Sequence, residues 1–334
     1  MNESQLFHPV ALADALGAAQ PLAAHLMGHD LVLWRDAAGA PRAAVDRCPH
    51  RGAALSLGRV HGGTLECAYH GWRFDGHGRC VAVPALPQFV PPASHQACMY
   101  SARIAYGLVW VALRAGVPDD EAGTLPEFEA EHDARLRKLN CGPYEVATSA
   151  PRLIENFLDL AHFGFVHEGV LGSRAHTEIE PYRIEATPTG FVATECKAWQ
   201  PQSSLQATGA ALVEYRYEVN APYTCVLTKQ PEATSTPLAD DREAIAMFVC
   251  PLAPERSRVW IRLAMSDFAS SEQTLRDFQN TIFGQDQPVL ESQRPRLLPV
   301  SVDAPVTELN SAADRSSAAY RRYLRERGIT FGVC

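Results

Sequence analysis

Glu155-Asn-Phe-Leu-Asp159-Leu-Ala-His162-Phe-Gly-Phe-Val-His167 sets a carboxylate and two imidazoles within nine residues, Asp159 to His167. Asp159 and His162 are three apart and would be neighbours on a helix surface. His162 and His167 are five apart, about 140° around a regular helix, so both cannot face one metal from it. The chain must break or bulge between them, and the sequence predicts the break at Gly164.

A second cluster of the same character lies upstream. Cys48-Pro-His50 is followed, after sixteen intervening residues, by Cys67-Ala-Tyr-His70, so each loop offers one thiolate and one imidazole. This ligand set suits zinc, or an iron–sulfur cluster with mixed ligation. Zinc modules usually take both cysteines from one loop and both histidines from another segment. Two histidines replacing two cysteines on one iron is the arrangement of a Rieske [2Fe–2S] centre. For the downstream stretch, two histidines with one carboxylate form the facial ligand set of non-haem Fe(II), with positions left open for O2.

Length and composition narrow the setting. At 334 residues the chain has room for two domains, taking roughly 100–200 residues for each. Hydrophobic content of 46% and charged content of 20% are those of a soluble globular protein. A net charge of −8 argues against nucleic acid as the main partner. The apolar run Gly107-Leu-Val-Trp-Val-Ala-Leu113 is far short of the roughly 20 residues that span a bilayer. Met-Asn-Glu-Ser-Gln at the start has no signal-peptide character. The nine cysteines are irregularly spaced and read as free thiols or ligands, so no membrane association and a cytoplasmic location are expected.

The sequence divides in three. Residues 1–116 read as an all-β domain: strands over 31–34 and 42–45 flank a turn at Asp36-Ala-Ala-Gly39, and one closing strand covers 103–113. Residues 117–140 read as an acidic linker carrying Asp119, Asp120, Glu121, Glu127, Glu129, Glu131 and Asp133. Residues 141–334 begin helically near 151 and continue as strands over 182–186, 191–196, 212–219, 244–250 and 258–266. Short connections make that sheet antiparallel. The end is helical again, over 272–283 and then from Ser311-Ala-Ala-Asp314 to a stop at Gly328.

Cys48-Pro-His-Arg-Gly52 and Cys67-Ala-Tyr-His-Gly-Trp72 resemble the Rieske motifs of the Rieske non-haem iron (ring-hydroxylating) oxygenases. Residues 155–167 resemble the mononuclear iron motif of that family. The resemblance implies that Cys48 and Cys67 hold the inner cluster iron, His50 and His70 the outer one, and His162 and His167 the mononuclear Fe(II). Asp159 would be no ligand but a bridge carrying electrons from a cluster histidine of the neighbouring subunit. The third iron ligand would be an acid from the C-terminal part, among Asp277, Asp286, Glu291 and Asp303. Phe283-Gly-Gln-Asp286-Gln-Pro-Val-Leu-Glu291 resembles the ligand segment, whose first acid binds iron, so Asp286 is chosen and Glu291 is the runner-up. Gly284 and Pro288 are expected to perturb the helix there. Trp72 is expected to pack on the cluster loop, and His61, His77, His95, His132 and His176 to be surface or structural.

One departure is informative. Respiratory Rieske proteins carry an extra disulfide-linked cysteine in each loop, where this chain has Ala53 and Tyr69. The resemblance therefore implies the oxygenase type. Its fold is α+β, an all-β Rieske domain followed by a helix-grip catalytic domain with a curved antiparallel sheet. The implied assembly is a homotrimer served by a separate reductase, of ferredoxin or flavin/[2Fe–2S] type, which passes on electrons from NAD(P)H. O2 is the co-substrate. The implied reaction is hydroxylation or oxidative demethylation of a small aromatic or cyclic molecule, as in the single-subunit-type demethylases and hydroxylases. A dihydroxylating dioxygenase and a Rieske electron carrier with a ligand-binding domain are the alternatives.

Overall fold

Among the described residues, ten short strands build the first part of the chain, and each of the two thiolate-bearing loops is held at a strand end. The computed structural model describes residues 3–115, 123–202, 209–231 and 243–334, and it divides into units of residues 2–125 and 126–334. In the first unit β1 (His8–Leu12), β2 (Leu22–Leu26), β3 (His29–Arg35), β4 (Pro41–Val45), β9 (Met99–Ala105) and β10 (Leu108–Ala112) form one sheet. The strand order is β1-β10-β9-β4-β3-β2. Between β4 and β9, β5 (Arg59–His61), β6 (Thr64–Glu66), β7 (Arg73–Phe74) and β8 (Cys80–Ala82) form a second, smaller sheet in sequential order.

The single closing strand expected over 103–113 is two strands. Tyr106 and Gly107 take φ of 56° and 70°, the turn geometry whose twist matches a tight hairpin, so Ala105 pairs with Leu108 and the chain doubles back. In the smaller sheet, Gly58 lets β5 and β6 approach just ahead of Cys67. A Cβ there would stand 1.9 Å from the Glu66 carbonyl oxygen.

Of the acidic linker, Pro118, Asp119, Asp120 and Glu121 lie outside the described residues. Its later part belongs to the second unit: Glu131 makes a two-point ion pair with Arg262, and β11 (Arg137–Val146) begins inside it. β12 (Arg183–Ala186), β13 (Phe191–Gln200), β14 (Ala211–Ala221), β15 (Thr224–Pro231), β16 (Glu243–Ala253) and β17 (Arg256–Met265) then run as an antiparallel meander. β15 is not among the predicted strands. β11 joins the β17 edge, so the sheet order is β11-β17-β16-β15-β14-β13-β12.

That order places the opening stretch. β11 and β12 lie at opposite edges, and the chain joining them must cross the whole sheet. It does so through α1 (Ala150–Phe157), which packs on β15 and β16, and the one-turn α2 (Phe163–Val166). Ser149 caps α1 by accepting from the Arg152 amide. Glu155 anchors it: Arg321 donates to both its carboxylate oxygens at 2.6 and 2.9 Å, and Glu308 joins Arg321 to Arg152. Arg321 belongs to α4 (Arg315–Arg327), which buries Tyr320 and Leu324 and ends at Gly328 with φ 66°. α3 (Glu272–Ser292) runs past the predicted end at 283; Pro288 lies inside it and cannot donate to the Gly284 carbonyl, yet the helix continues.

Replacing Gly58 by Ala should destabilise the protein by about 1–3 kcal/mol, because the colliding atom is backbone and cannot turn aside. Gly17→Ala, where a Cβ meets nothing within 4 Å, should stay within about 0.5 kcal/mol of the parent. Denaturant midpoints followed by circular dichroism compare the two, and equal midpoints would remove the packing argument.

Candidate metal centres

The two thiolate loops are built alike. The Cys48 amide donates to the Ala53 carbonyl at 2.8 Å and the Gly52 amide returns to Cys48 at 2.9 Å. The Cys67 amide donates to Trp72 at 2.8 Å and the Gly71 amide returns to Cys67 at 3.0 Å. Gly52 and Gly71 close these loops at φ of 74° and 70°, where a side chain would be strained. Both cysteines are buried, while the His70 ring reaches the surface. The His50 and His70 rings stand 4.6 Å apart. Trp72 does pack on the loop, stacked on His50 at 4.5 Å, and His95 also stacks on Trp72, at 5.3 Å.

Two observations fit a [2Fe–2S] cluster here. The His50 Nδ1 atom is buried with no hydrogen-bond partner, which an iron would supply. Burial, with the Cys67 sulfur beside it, pushes the Cys48 thiol up to about 11, so a thiolate there calls for a bound cation. Zinc fits less well. Among the described residues the one group of three or more metal-type donors within 4.8 Å of one another is His162, His167 and Asp286. The four loop donors do not close around a single ion as tetrahedral zinc requires. All nine cysteines are free, so no disulfide joins the loops.

In the second unit the downstream residues do converge. One Asp286 oxygen lies 3.5 Å from His162 Nε2 and 3.3 Å from His167 Nε2. Each imidazole turns Nε2 inward because its Nδ1 is held from behind: His162 donates to Asp159 at 3.1 Å and His167 to the Gln285 side-chain oxygen at 2.8 Å. Burial acts to raise the Asp159 carboxyl, but the His162 hydrogen bond and charge outweigh it and hold it below its ordinary value. Burial likewise acts to lower His167, and the Asp286 and Gln285 bonds outweigh it and raise it. Asn156 Nδ2 stands 3.4 Å from the Asp286 oxygen.

The break in the chain is not at Gly164. α1 ends at Phe157, His162 stands just before α2, and His167 leaves the helix at φ −109° and ψ 33°. Gly164 sits inside α2 for a packing reason, since a Cβ there would lie 3.0 Å from the Ser173 carbonyl oxygen. The other candidate acids are employed elsewhere. Glu291 accepts from the Ala147 amide and Gln287, Asp277 accepts from Gln273, and Asp303 is exposed. Gln285 and Asn156 were not singled out in the sequence, because an amide beside a ligand carries no pattern until its partner is known.

The three converging side chains open onto a cavity of about 380 Å³. Its floor is the inner face of the sheet, with Leu227, Ile245 and Leu263, and its roof includes Phe278 and Ile282 of α3. No described helix is long and apolar enough to cross a membrane.

Residues 7–99 match the family described as the Rieske [2Fe-2S] domain, and residues 146–328 the vanillate O-demethylase oxygenase C-terminal domain. The chain is 32% identical over 329 residues to methylxanthine N1-demethylase NdmA of Pseudomonas putida, covering 96% of this chain and 88% of that protein. It is 38% identical over 230 residues to the probable methylxanthine N7-demethylase NdmC of a Pseudomonas species, covering 68% and 77%. The structure of NdmA from Pseudomonas putida with caffeine aligns at a TM-score of 0.83 and 30% identity, over 97% of this chain and 90% of that one.

Gln285→Leu removes the acceptor behind His167 and should weaken divalent metal binding by about 10–100-fold. Gln285→Glu, which keeps an acceptor, should lose far less. Titration of the metal-depleted protein with Co(II) reads both, and equal affinities would show that the bond orients nothing.

Proposed function

This chain belongs to the Rieske non-haem iron oxygenases, in their demethylase branch, and we propose that it removes a methyl group from a ring nitrogen of a small heterocycle. It is a terminal oxygenase component that works with a separate reductase, and O2 and NAD(P)H electrons drive hydroxylation or oxidative demethylation of a small cyclic molecule. The observation that carries the finer reading is the set His162, His167 and Asp286 on the wall of an apolar cavity sized for a ring system. Likeness to two methylxanthine demethylases supports nitrogen as the methyl-bearing atom.

In this reading His162, His167 and Asp286 hold Fe(II), and Cys48, Cys67, His50 and His70 hold the [2Fe–2S] cluster. When bound, the two centres supply O2 activation and one-electron delivery. The rest is the chain's own work. Asp159 and Gln285 keep protons on the Nδ1 atoms, so that both Nε2 atoms stay available. Leu227, Ile245 and Leu263 exclude water and present the methyl carbon to the metal-facing end. One oxygen atom of O2 is inserted into a C–H bond of that methyl group, while the other, with two electrons from NAD(P)H and two protons, leaves as water. The N–C bond of the hydroxymethyl product then breaks, releasing formaldehyde and a ring N–H.

Asp159 keeps a side chain 28% exposed although it holds His162, which supports its service as the bridge to a partner's cluster in a homotrimer. The reductase would be of the ferredoxin or flavin/[2Fe–2S] type.

The purified protein should contain about three irons and two acid-labile sulfides per chain, and His162→Ala about two irons with the sulfide unchanged. With a reductase and NADH, the parent should release one formaldehyde per O2 consumed from an N-methylated heterocycle, and His162→Ala none. O2 uptake with no formaldehyde from any N-methyl compound would sink the demethylation reading, and zinc in place of sulfide the whole assignment.

A further inference from the structure

Cavity-lining residues fall at every second position along the sheet, as one face of a pleat requires. Strand pairing arranges them in rows. Tyr217 pairs with Leu227, Leu227 with Ile245 and Ile245 with Leu263, so this row is apolar apart from the Tyr217 hydroxyl. The next row reads Tyr215, Lys229 and Glu243, again in direct register, and it too lines the cavity. Lys229 is ion-paired with Glu243, and their side chains are only 10% and 21% exposed.

Stability does not account for this row. A buried ion pair replaced by apolar side chains of like volume is often neutral or stabilising. Glu243 has roughly four lone-pair sites, more than one ion pair uses. At the other end, Gln200 donates to the Tyr215 hydroxyl at 2.5 Å, so that hydroxyl keeps its own proton to give. The row thus offers a donor at one end and an acceptor at the other, with a cation between. It spans two strand spacings, roughly 10 Å, about the length of a fused two-ring molecule.

We propose that Tyr215, Lys229 and Glu243 form a polar rail that reads one edge of the substrate ring, a carbonyl beside an N–H. Tyr215 and Lys229 donate to the carbonyl and Glu243 accepts from the N–H. Rings that keep such an N–H are held over rings methylated at every nitrogen. The inference rests on the reading that this cavity takes a heterocycle.

The test is equilibrium binding to the iron-loaded protein by calorimetry, with no turnover. The probes are 1,3-dimethylxanthine, whose ring N–H lies beside a carbonyl, and caffeine, which carries a methyl there. The parent should bind the first at least about tenfold more tightly, the worth of one good hydrogen bond in a desolvated site. The paired substitution Lys229→Met with Glu243→Leu should bring the two affinities within about twofold at unchanged iron content. If that protein does not fold, Glu243→Gln should still narrow the preference about threefold or more, the acceptor being uncharged. A parent that prefers caffeine, or a preference untouched by these substitutions, overturns the rail. Collapse of the preference in a protein that releases no formaldehyde supports the rail and defeats the reaction proposed above. Formaldehyde release with an unchanged preference defeats the rail alone.

Discussion

One Asp286 oxygen within 3.5 Å of two imidazole nitrogens is the contact on which the catalytic unit depends. A carboxylate so placed attracts whatever positive charge lies between it and the rings, whether a proton or a metal. Its placement draws on three separate features. The sheet order sends the chain across from one edge to the other, which lays α1 and α2 over the strands. The pairing of Arg321 with Glu155 ties α1 to α4. α3 continues past residue 283 and so carries Asp286 to the same point. The polar groups behind each ring then decide which nitrogen faces inward.

The cysteine loops solve a similar problem by other means. Their shape comes from main-chain hydrogen bonds repeated in both loops, with glycines where the backbone turns left-handed. Side chains add ring packing on the histidines, Trp72 on His50 and Tyr69 on His70. In the catalytic unit, by contrast, the imidazoles are held by side-chain hydrogen bonds. The orientation of the two rings at the Asp286 site therefore depends on single side chains, Gln285 and Asp159.

Much of this was legible in the sequence where ligands are close together in the chain. The spacing of Cys48, His50, Cys67 and His70 and the group at 155–167 are local patterns, and the structure brings His162 and His167 together. Asp286 was reached only by resemblance, since nothing in the spacing of an acid so far along the chain ties it to His162. The hairpin at Tyr106-Gly107 was hidden because tyrosine is an unusual residue at positive φ. Gly164 serves close packing and not a bend, two roles that the sequence alone does not separate. The facing of Lys229 and Glu243 depends on strand register, and β15 itself was missed. Inward and outward positions exchange on a slip of one residue.

The distance along the chain between the parts of the proposed iron site also has a meaning in time. Asp286 follows His167 by 119 residues, whereas the four cluster residues all lie between 48 and 70. At roughly 5–20 residues per second, a ribosome exposes the complete cysteine and histidine loops well before it has made the acid, which trails His167 by about 6 to 24 seconds. Through that interval the nascent chain holds all four residues proposed to bind the cluster and only two of the three proposed to bind the mononuclear iron. On the ligand sets proposed above, the residues of the two cysteine loops are therefore all made before those of the mononuclear site, an order fixed by position in the sequence.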